Sequence, residues 1–366
     1  MKTVIINIGP ECVTGASCER TGKKVVLERI FEFDDTDFYN NGGTLDLKPI
    51  AKKIKENIPP AYRGCDVQLV LPSYATTVSY VDTHTLNPSK RRAKPLPSNI
   101  AEKVVSIGES QTRKIEQTIQ YNTKLFNSIL NDFYACGINV RSAIAAETGY
   151  HNYIAAYNPL ESYEESDPRV YVCMVWGTHE ISYIFSVKNL PVSIRMSDFS
   201  LMNVYSDMKA QGSEISFGMM LKILNLMIAS ALPDGTGFVL ECPDDQVKVG
   251  GETVSVNTDD CDNALHAFSD FIHDLCDEIR QMYDHAIHEY GIEQVSFCLN
   301  SHLVDECVSH AVGAEFPIAY IDEPEPMTVY DTVFEFVGVS TLDDKFVPII
   351  GAAIESMKKG DDFYDD

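Results

Sequence analysis

The strongest constraint on this chain is a pattern that occurs twice. In the first half, strand-like runs cover Thr3–Ile8, a stretch near Cys12–Glu19, and Lys24–Phe33, with a turn at Thr21-Gly22. A helix is predicted over Leu47–Asn57, stopped by Pro59-Pro60, and then a strand over Val67–Leu71 ended by Pro72. The second half repeats the opening with Arg169–Val175, Glu180–Val187 and Val192–Arg195, joined by Gly177-Thr178-His179 and Asn189-Leu190-Pro191. The apolar helix Phe217–Leu232 follows. A three-stranded meander cannot cover its own faces, so it needs helices packed on it. A meander that recurs and each time runs on into helices and strands predicts a duplicated α/β fold, two lobes around a central cleft.

The remaining segments fill in the lobes. Helical spacing over Thr118–Cys136 ends at Gly137, a suitable C-cap. A hairpin is expected from Phe238–Cys242 through Gly250-Gly251 to Thr253–Val256. Next comes a long amphipathic helix with apolar residues at Leu265, Phe268, Ile272, Leu275, Ile279, Met282 and Ala286. Phe271, Tyr283 and Ile287 widen that stripe, which favours packing on the chain's own sheet over a coiled-coil seam. A strand over Gln294–Leu299, a helix over Leu303–Val312, a strand over Ile318–Ile321 and a helix over Val347–Met357 close the series. The expected division is a first lobe over 1–145 with an inserted subdomain around 74–140, and a second lobe over 146–358 with an inserted hairpin around 236–258. An acidic, disordered tail is expected over 359–366.

Charge is distributed unevenly. The 366 residues carry 29 Lys+Arg and 54 Asp+Glu, a formal net charge of −25. Residues 1–150 hold 19 basic and 16 acidic side chains, whereas residues 151–366 hold 10 and 38. Such acidity excludes nucleic acid as the main partner, because phosphate binding depends on Lys and Arg. The basic run Lys90-Arg91-Arg92-Ala93-Lys94 is either a solvated loop or a patch facing anionic lipid. The first nine residues have too short an apolar run for a secretory signal and read as a buried strand. The window Phe217–Leu232 is shorter than the ~20 residues a bilayer requires and contains Lys222, so a core helix is expected. Ten cysteines without a C-x-x-C pair predict reduced, mostly buried thiols in a cytoplasmic protein.

Familiar enzyme motifs are missing from the sequence. It contains neither G-x-S-x-G nor G-x-x-x-x-G-K-[ST]. His285 and His288 are spaced i, i+3 beside Glu289, with His273 more than three turns away, which is not the H-E-x-x-H arrangement; no metal site is expected. Phe217, Met219, Met220 and Met227 read as core.

In the order and spacing of these segments the chain resembles the actin-like ATPase superfamily, a ribonuclease H-like fold, and within it the PilM family of type IV pilus assembly proteins, related to the division protein FtsA. The resemblance rests on Val4–Gly9, Leu69–Pro72, Phe133–Tyr150, Val170–Thr178, Leu190–Arg195, Gln294–Ser301 and Pro348–Ile354, in that order along nearly the whole chain. It implies a nucleotide cleft between two hairpin loops, with Asn7, Gly9, Pro10 and Cys12 on one side, Gly177 and Thr178 on the other, and Asn300 and Ser301 at the adenosine motif. Those residues depart from the family's pattern at each motif. Asn7 stands where an aspartate orients the Mg²⁺ waters, Pro10 removes an N–H donor, Val175 replaces the second acid, and Asn300-Ser301 replaces a Gly-Gly pair. Glu147 alone matches a family acidic position, as a weak catalytic candidate, since a single carboxylate at a helix start is more often a cap or dipole partner than a base.

The resemblance therefore implies a degenerate site with no cofactor, ATP and magnesium being the alternative. Its implied role is a non-catalytic scaffold at the inner face of the cell membrane. There it would bind the cytoplasmic N-terminal segment of a single-span, PilN-like inner-membrane protein and associate with the membrane through that partner. Homo-oligomerisation stays open. The alternatives are a functional actin-like ATPase or an FtsA-like division protein, although the acidic terminus Asp361–Asp366 is unlike a membrane-targeting helix.

Overall fold

The computed structural model describes residues 2–10, 12–83, 96–109, 114–157, 169–187, 190–197, 199–229, 232–233, 238–239, 246–249, 252–255, 258–291, 294–298, 327–329, 332–339 and 345–361. The elements in chain order begin with β1 (Lys2–Ile8), β2 (Cys12–Thr21), β3 (Lys24–Asp34), α1 (Leu47–Asn57), β4 (Asp66–Leu71), β5 (Thr76–Asp82), β6 (Ile100–Glu109), β7 (Lys114–Asn122), α2 (Thr123–Ala135), β8 (Val140–Ala145) and α3 (Ala146–Tyr157). They continue with β9 (Arg169–Trp176), β10 (Ile181–Val187), β11 (Leu190–Ser197), α4 (Leu201–Ala210), α5 (Phe217–Ala229), β12 (Leu232–Pro233), β13 (Phe238–Val239), β14 (Gln246–Val249) and β15 (Glu252–Ser255). The series ends with α6 (Thr258–Tyr290), β16 (Gln294–Cys298), β17 (Thr328–Val329), β18 (Thr332–Val337) and α7 (Val347–Asp361).

The duplication is visible in the sheets. One has the order β17-β18-β3-β2-β1-β4-β8 and the other β11-β10-β9-β16. Both contain an antiparallel three-stranded meander with a parallel strand beside its first member, β4 beside β1 and β16 beside β9. Val4, Ile5 and Ile6 are almost fully buried, as expected of a central strand covered on both faces. The parallel pairing of β18 with β3 brings residues 332–337 back into the sheet of the first lobe. A separate three-stranded sheet, β5-β7-β6, lies between β4 and α2 in sequence.

Helix ends follow local chemistry. Asp46 caps α1 by accepting from the Lys48 N–H at 3.2 Å. Asn122 caps α2 by accepting from the N–H groups of Lys124 and Leu125, and Gly137 leaves that helix with φ +72°. In α5 Phe217, Met220, Leu221, Ile223, Leu224 and Met227 are buried while Leu226 is exposed, and Lys222 pairs with Asp37 from the first lobe. Helices α3 and α7 cross where two glycines meet: a Cβ on Gly351 would overlap the Gly149 carbonyl oxygen.

Several expectations need correction. Residues 118–122 belong to strand β7, since Ile115 and Gln117 alternate inward and Asn122 can start the helix only after itself. Across Gly250-Gly251 the paired arms are β14 and β15, with Val249 opposite Glu252, so two residues separate them; Phe238–Val239 pairs instead with Leu232–Pro233. Helix α4 and strands β17 and β18 were not foreseen. Within the expected tail, residues 359–361 are the end of α7. The basic run 90–94, the helix expected at 303–312, the strand at 318–321 and residues 362–366 lie outside the described residues. Among the described residues, seven cysteines are free thiols. No described helix is long and apolar enough to cross a membrane.

Candidate functional site

The two meanders present their first hairpin turns to one cleft. In the first, the Gly9 N–H donates to the Cys12 carbonyl at 3.1 Å; in the second, the Gly177 N–H donates to the Glu180 carbonyl at 2.8 Å. The turns are alike because the strands are: Asn7 pairs with Thr14 in β1–β2, and Val175 pairs with Ser182 in β9–β10. The cleft has a volume of about 650 Å³, part of it open to solvent. Asn7, Gly9, Pro10 and Cys12 line one side, and Gly177 and Thr178 the other, so six of the eight residues expected at the site come together. Asn300 and Ser301 lie outside the described residues.

Other walls come from residues that the sequence did not assign to the cleft. Ser73 and Tyr74 follow β4, Tyr150 rises from α3, and Lys345 and Pro348 enter from the start of α7. The second hairpin sits directly on the first lobe, since a Cβ on Gly177 would land on Ser73 Oγ. His179 carries the contact outward: its Nε2 lies 2.8 Å from the Gly42 carbonyl and its Nδ1 2.9 Å from Thr178 Oγ1. Tyr74 stands edge-on to the same imidazole, with centroids 6.3 Å apart. Trp176 lines the cleft, with its ring centre 6.0 Å from that of Phe271 on α6.

The polar chemistry of the first hairpin is already committed. Asn7 Nδ2 donates to the Lys345 carbonyl at 3.2 Å and Thr14 Oγ1 donates to the same oxygen at 3.1 Å. Tyr39 Oη donates to the Pro10 carbonyl at 2.7 Å, fixing the other side of the turn. At the position equivalent to Asn7, Val175 is buried and apolar. Glu147, the acidic candidate, does not border the cleft. It is buried beside β10, where Ser182 Oγ donates to its Oε1 at 3.5 Å. Burial foremost, and then the charge of Glu180, raises its carboxyl to about 7.

These residues do not fit a magnesium–phosphate group. Hard cations take oxygen ligands, above all carboxylates, and among the described residues no Asp or Glu lines the cleft. The amide of Asn7 is turned to a backbone carbonyl, and Pro10 offers no N–H. Among the described residues, no group of three His, Cys, Asp or Glu is placed to hold a metal.

Fold and cleft together define the class: the chain has the actin-like ATPase fold, duplicated lobes with a cleft between paired hairpins. Among solved structures it is similar to a PilM–PilN type IV pilus biogenesis complex, at a TM-score of 0.60 and 12% identity, over 96% of this chain and 98% of that one. Also similar are MreB5 of Spiroplasma citri bound to ADP, at 0.42 and 12% identity over 100% and 99% of the two chains, and the cytoplasmic domain of EpsL, an inner membrane component of the type II secretion system of Vibrio cholerae, at 0.32 and 10% identity over 58% and 76%. No protein-family profile and no curated protein sequence matches the chain.

Proposed function

We propose that this protein is an actin-like scaffold that does not hydrolyse nucleotide and that binds the cytoplasmic N-terminal segment of a PilN-like, single-span inner-membrane protein in a type IV pilus-like assembly system. The observation that carries the first part is Asn7. Hydrolysis requires a metal held against the phosphates and an oriented water. The side chain that would orient the metal is a neutral amide engaged with the Lys345 carbonyl. The partner reading is supported by likeness to a structure described as a PilM–PilN complex, which extends over nearly the full length of both chains. An extended segment docking at a groove or sheet edge would gain affinity from main-chain hydrogen bonds and specificity from pockets for its alternate side chains. The protein would then work in the cytoplasm at the membrane face, with its near-neutral half, residues 1–150, toward the anionic leaflet.

Calorimetry tests both parts on the full chain. Synthetic peptides matching the cytoplasmic N-termini of single-span membrane proteins encoded nearby are expected to give one-site binding. ATP with magnesium is expected to give no saturable heat at millimolar concentration. Tight magnesium-dependent ATP binding, weakened by Gly9→Trp, would establish the functional ATPase instead.

A further inference from the structure

Asn7, Thr14 and Glu32 form one row across β1, β2 and β3, because Asn7 is paired with Thr14 and Thr14 with Glu32. A single residue from the far end of the chain touches all three. The Lys345 carbonyl accepts from Asn7 and Thr14, and its ammonium lies 3.3 Å from Glu32. We infer that Lys345 is a strap: its backbone fastens the segment entering α7 onto the first hairpin, occupies the polar edge of the cleft, and holds the cleft in its closed arrangement.

The chemistry of the row explains why residue 7 is an amide. Asparagine offers N–H donors to a carbonyl, whereas an aspartate would set its own acceptors against one. The residue that appears as a lost metal partner has therefore gained an internal one. The strap also reaches the lobe junction. Pro348, three residues on, lines the cleft and lies against Gly149 of α3, and Gly351 packs on the same glycine. Release at Asn7 and Thr14 would free the first turn of α7 and loosen its crossing with α3.

Two of the three contacts use the backbone, which sets this apart from a salt bridge. The ammonium–Glu32 pair is partly exposed on both sides and contributes little. Lys345→Ala should therefore leave the strap in place, while Asn7→Ala and Thr14→Val should release it.

Hydrogen–deuterium exchange of the full chain reads this at residues 350–354, whose protection depends on the first turn of α7. Each single change is expected to speed exchange there about fivefold, as for one lost hydrogen bond, and the double change about 25-fold, with Lys345→Ala below twofold. Alkylation of Cys12, which lines the cleft, by iodoacetamide should accelerate in the same order when mapped by mass spectrometry, with buried Cys173 as the internal reference. No acceleration in Asn7→Ala or Thr14→Val overturns the inference. So does an effect of Lys345→Ala as large as theirs, or equal acceleration in peptides of α6, which would mean global loosening.

Discussion

Ser182 holds Glu147 at 3.5 Å as Thr14 holds Lys345: the two hydroxyls occupy the same place in their hairpins, and each grips the start of one of the crossing helices. The grip on Glu147 is incomplete, because its Oε2 is buried without a hydrogen-bond partner. Its carboxyl, ordinarily near 4.5, is raised to about 7 by burial and then by Glu180. Asp35, fully buried with Asp34 beside it, is raised in the same direction.

A raised carboxyl binds its proton more tightly folded than unfolded, so its contribution is greatest below 4.5, is lost progressively up to about 7, and is flat above that. Glu147→Gln keeps the shape without the charge. It is expected to add on the order of 2 kcal/mol of stability at pH 8 and little below pH 4.5. Urea unfolding at several pH values checks both. An equal gain at all of them would mean that the carboxylate does not titrate with folding.

The contact between Gly177 and Ser73 predicts a rescue. An added methyl at 177 meets Ser73 Oγ, and also lies 2.9 Å from the Glu180 carbonyl oxygen. Gly177→Ala is expected to cost about 1–3 kcal/mol through overpacking. Adding Ser73→Gly should restore part of that loss, because one of the two obstacles is then gone. Thermal unfolding of the single and double variants measures the coupling.

How much of this was legible follows from how far each signal acts along the chain. The meanders and helix α1 came from local cues, namely alternation, prolines and glycines at turns, whereas the six hairpin residues of the cleft came from the family resemblance that the order of the motifs carries. Residues 118–122 misled because Thr118, Ile119 and Tyr121 suit either period, and only pairing with β5 and β6 settles them as strand. The arms around Gly250-Gly251 show the same weakness, since the turn is legible but its register is not. Lys345 was invisible for a stronger reason: its contact with Asn7 spans 338 positions, and a backbone carbonyl leaves no mark on residue identity. The substitution of Asn for Asp could be read as a loss; what it gained required coordinates.

Lys222 on α5 predicts an asymmetry. Its ammonium is nearly buried and pairs with Asp37, which is itself mostly covered. Removing the carboxylate by Asp37→Ala leaves a buried charge and is expected to cost about 3–5 kcal/mol. Lys222→Met instead replaces the cation with an apolar chain of similar length, and should cost much less or nothing. Equal losses by urea denaturation would mean that the attraction itself, rather than desolvation of the lysine, dominates this pair.

The crossing of α3 and α7 predicts the most damaging single methyl. At Gly351 the obstacle is the Gly149 backbone, which no rotamer change can move aside. Gly351→Ala must push the helices apart, and the loss is expected to exceed about 3 kcal/mol, since displaced helices leave voids along the whole contact. Gly291→Ala is the control: its φ is +63° and nothing lies near its Cβ, so only the backbone strain of about 1–2 kcal/mol applies. Guanidinium unfolding of the two variants should rank Gly351→Ala well below Gly291→Ala. The reverse order would mean that the crossing tolerates separation, and that the lobes are held together elsewhere, at the Gly177–Ser73 contact and the Lys345 strap.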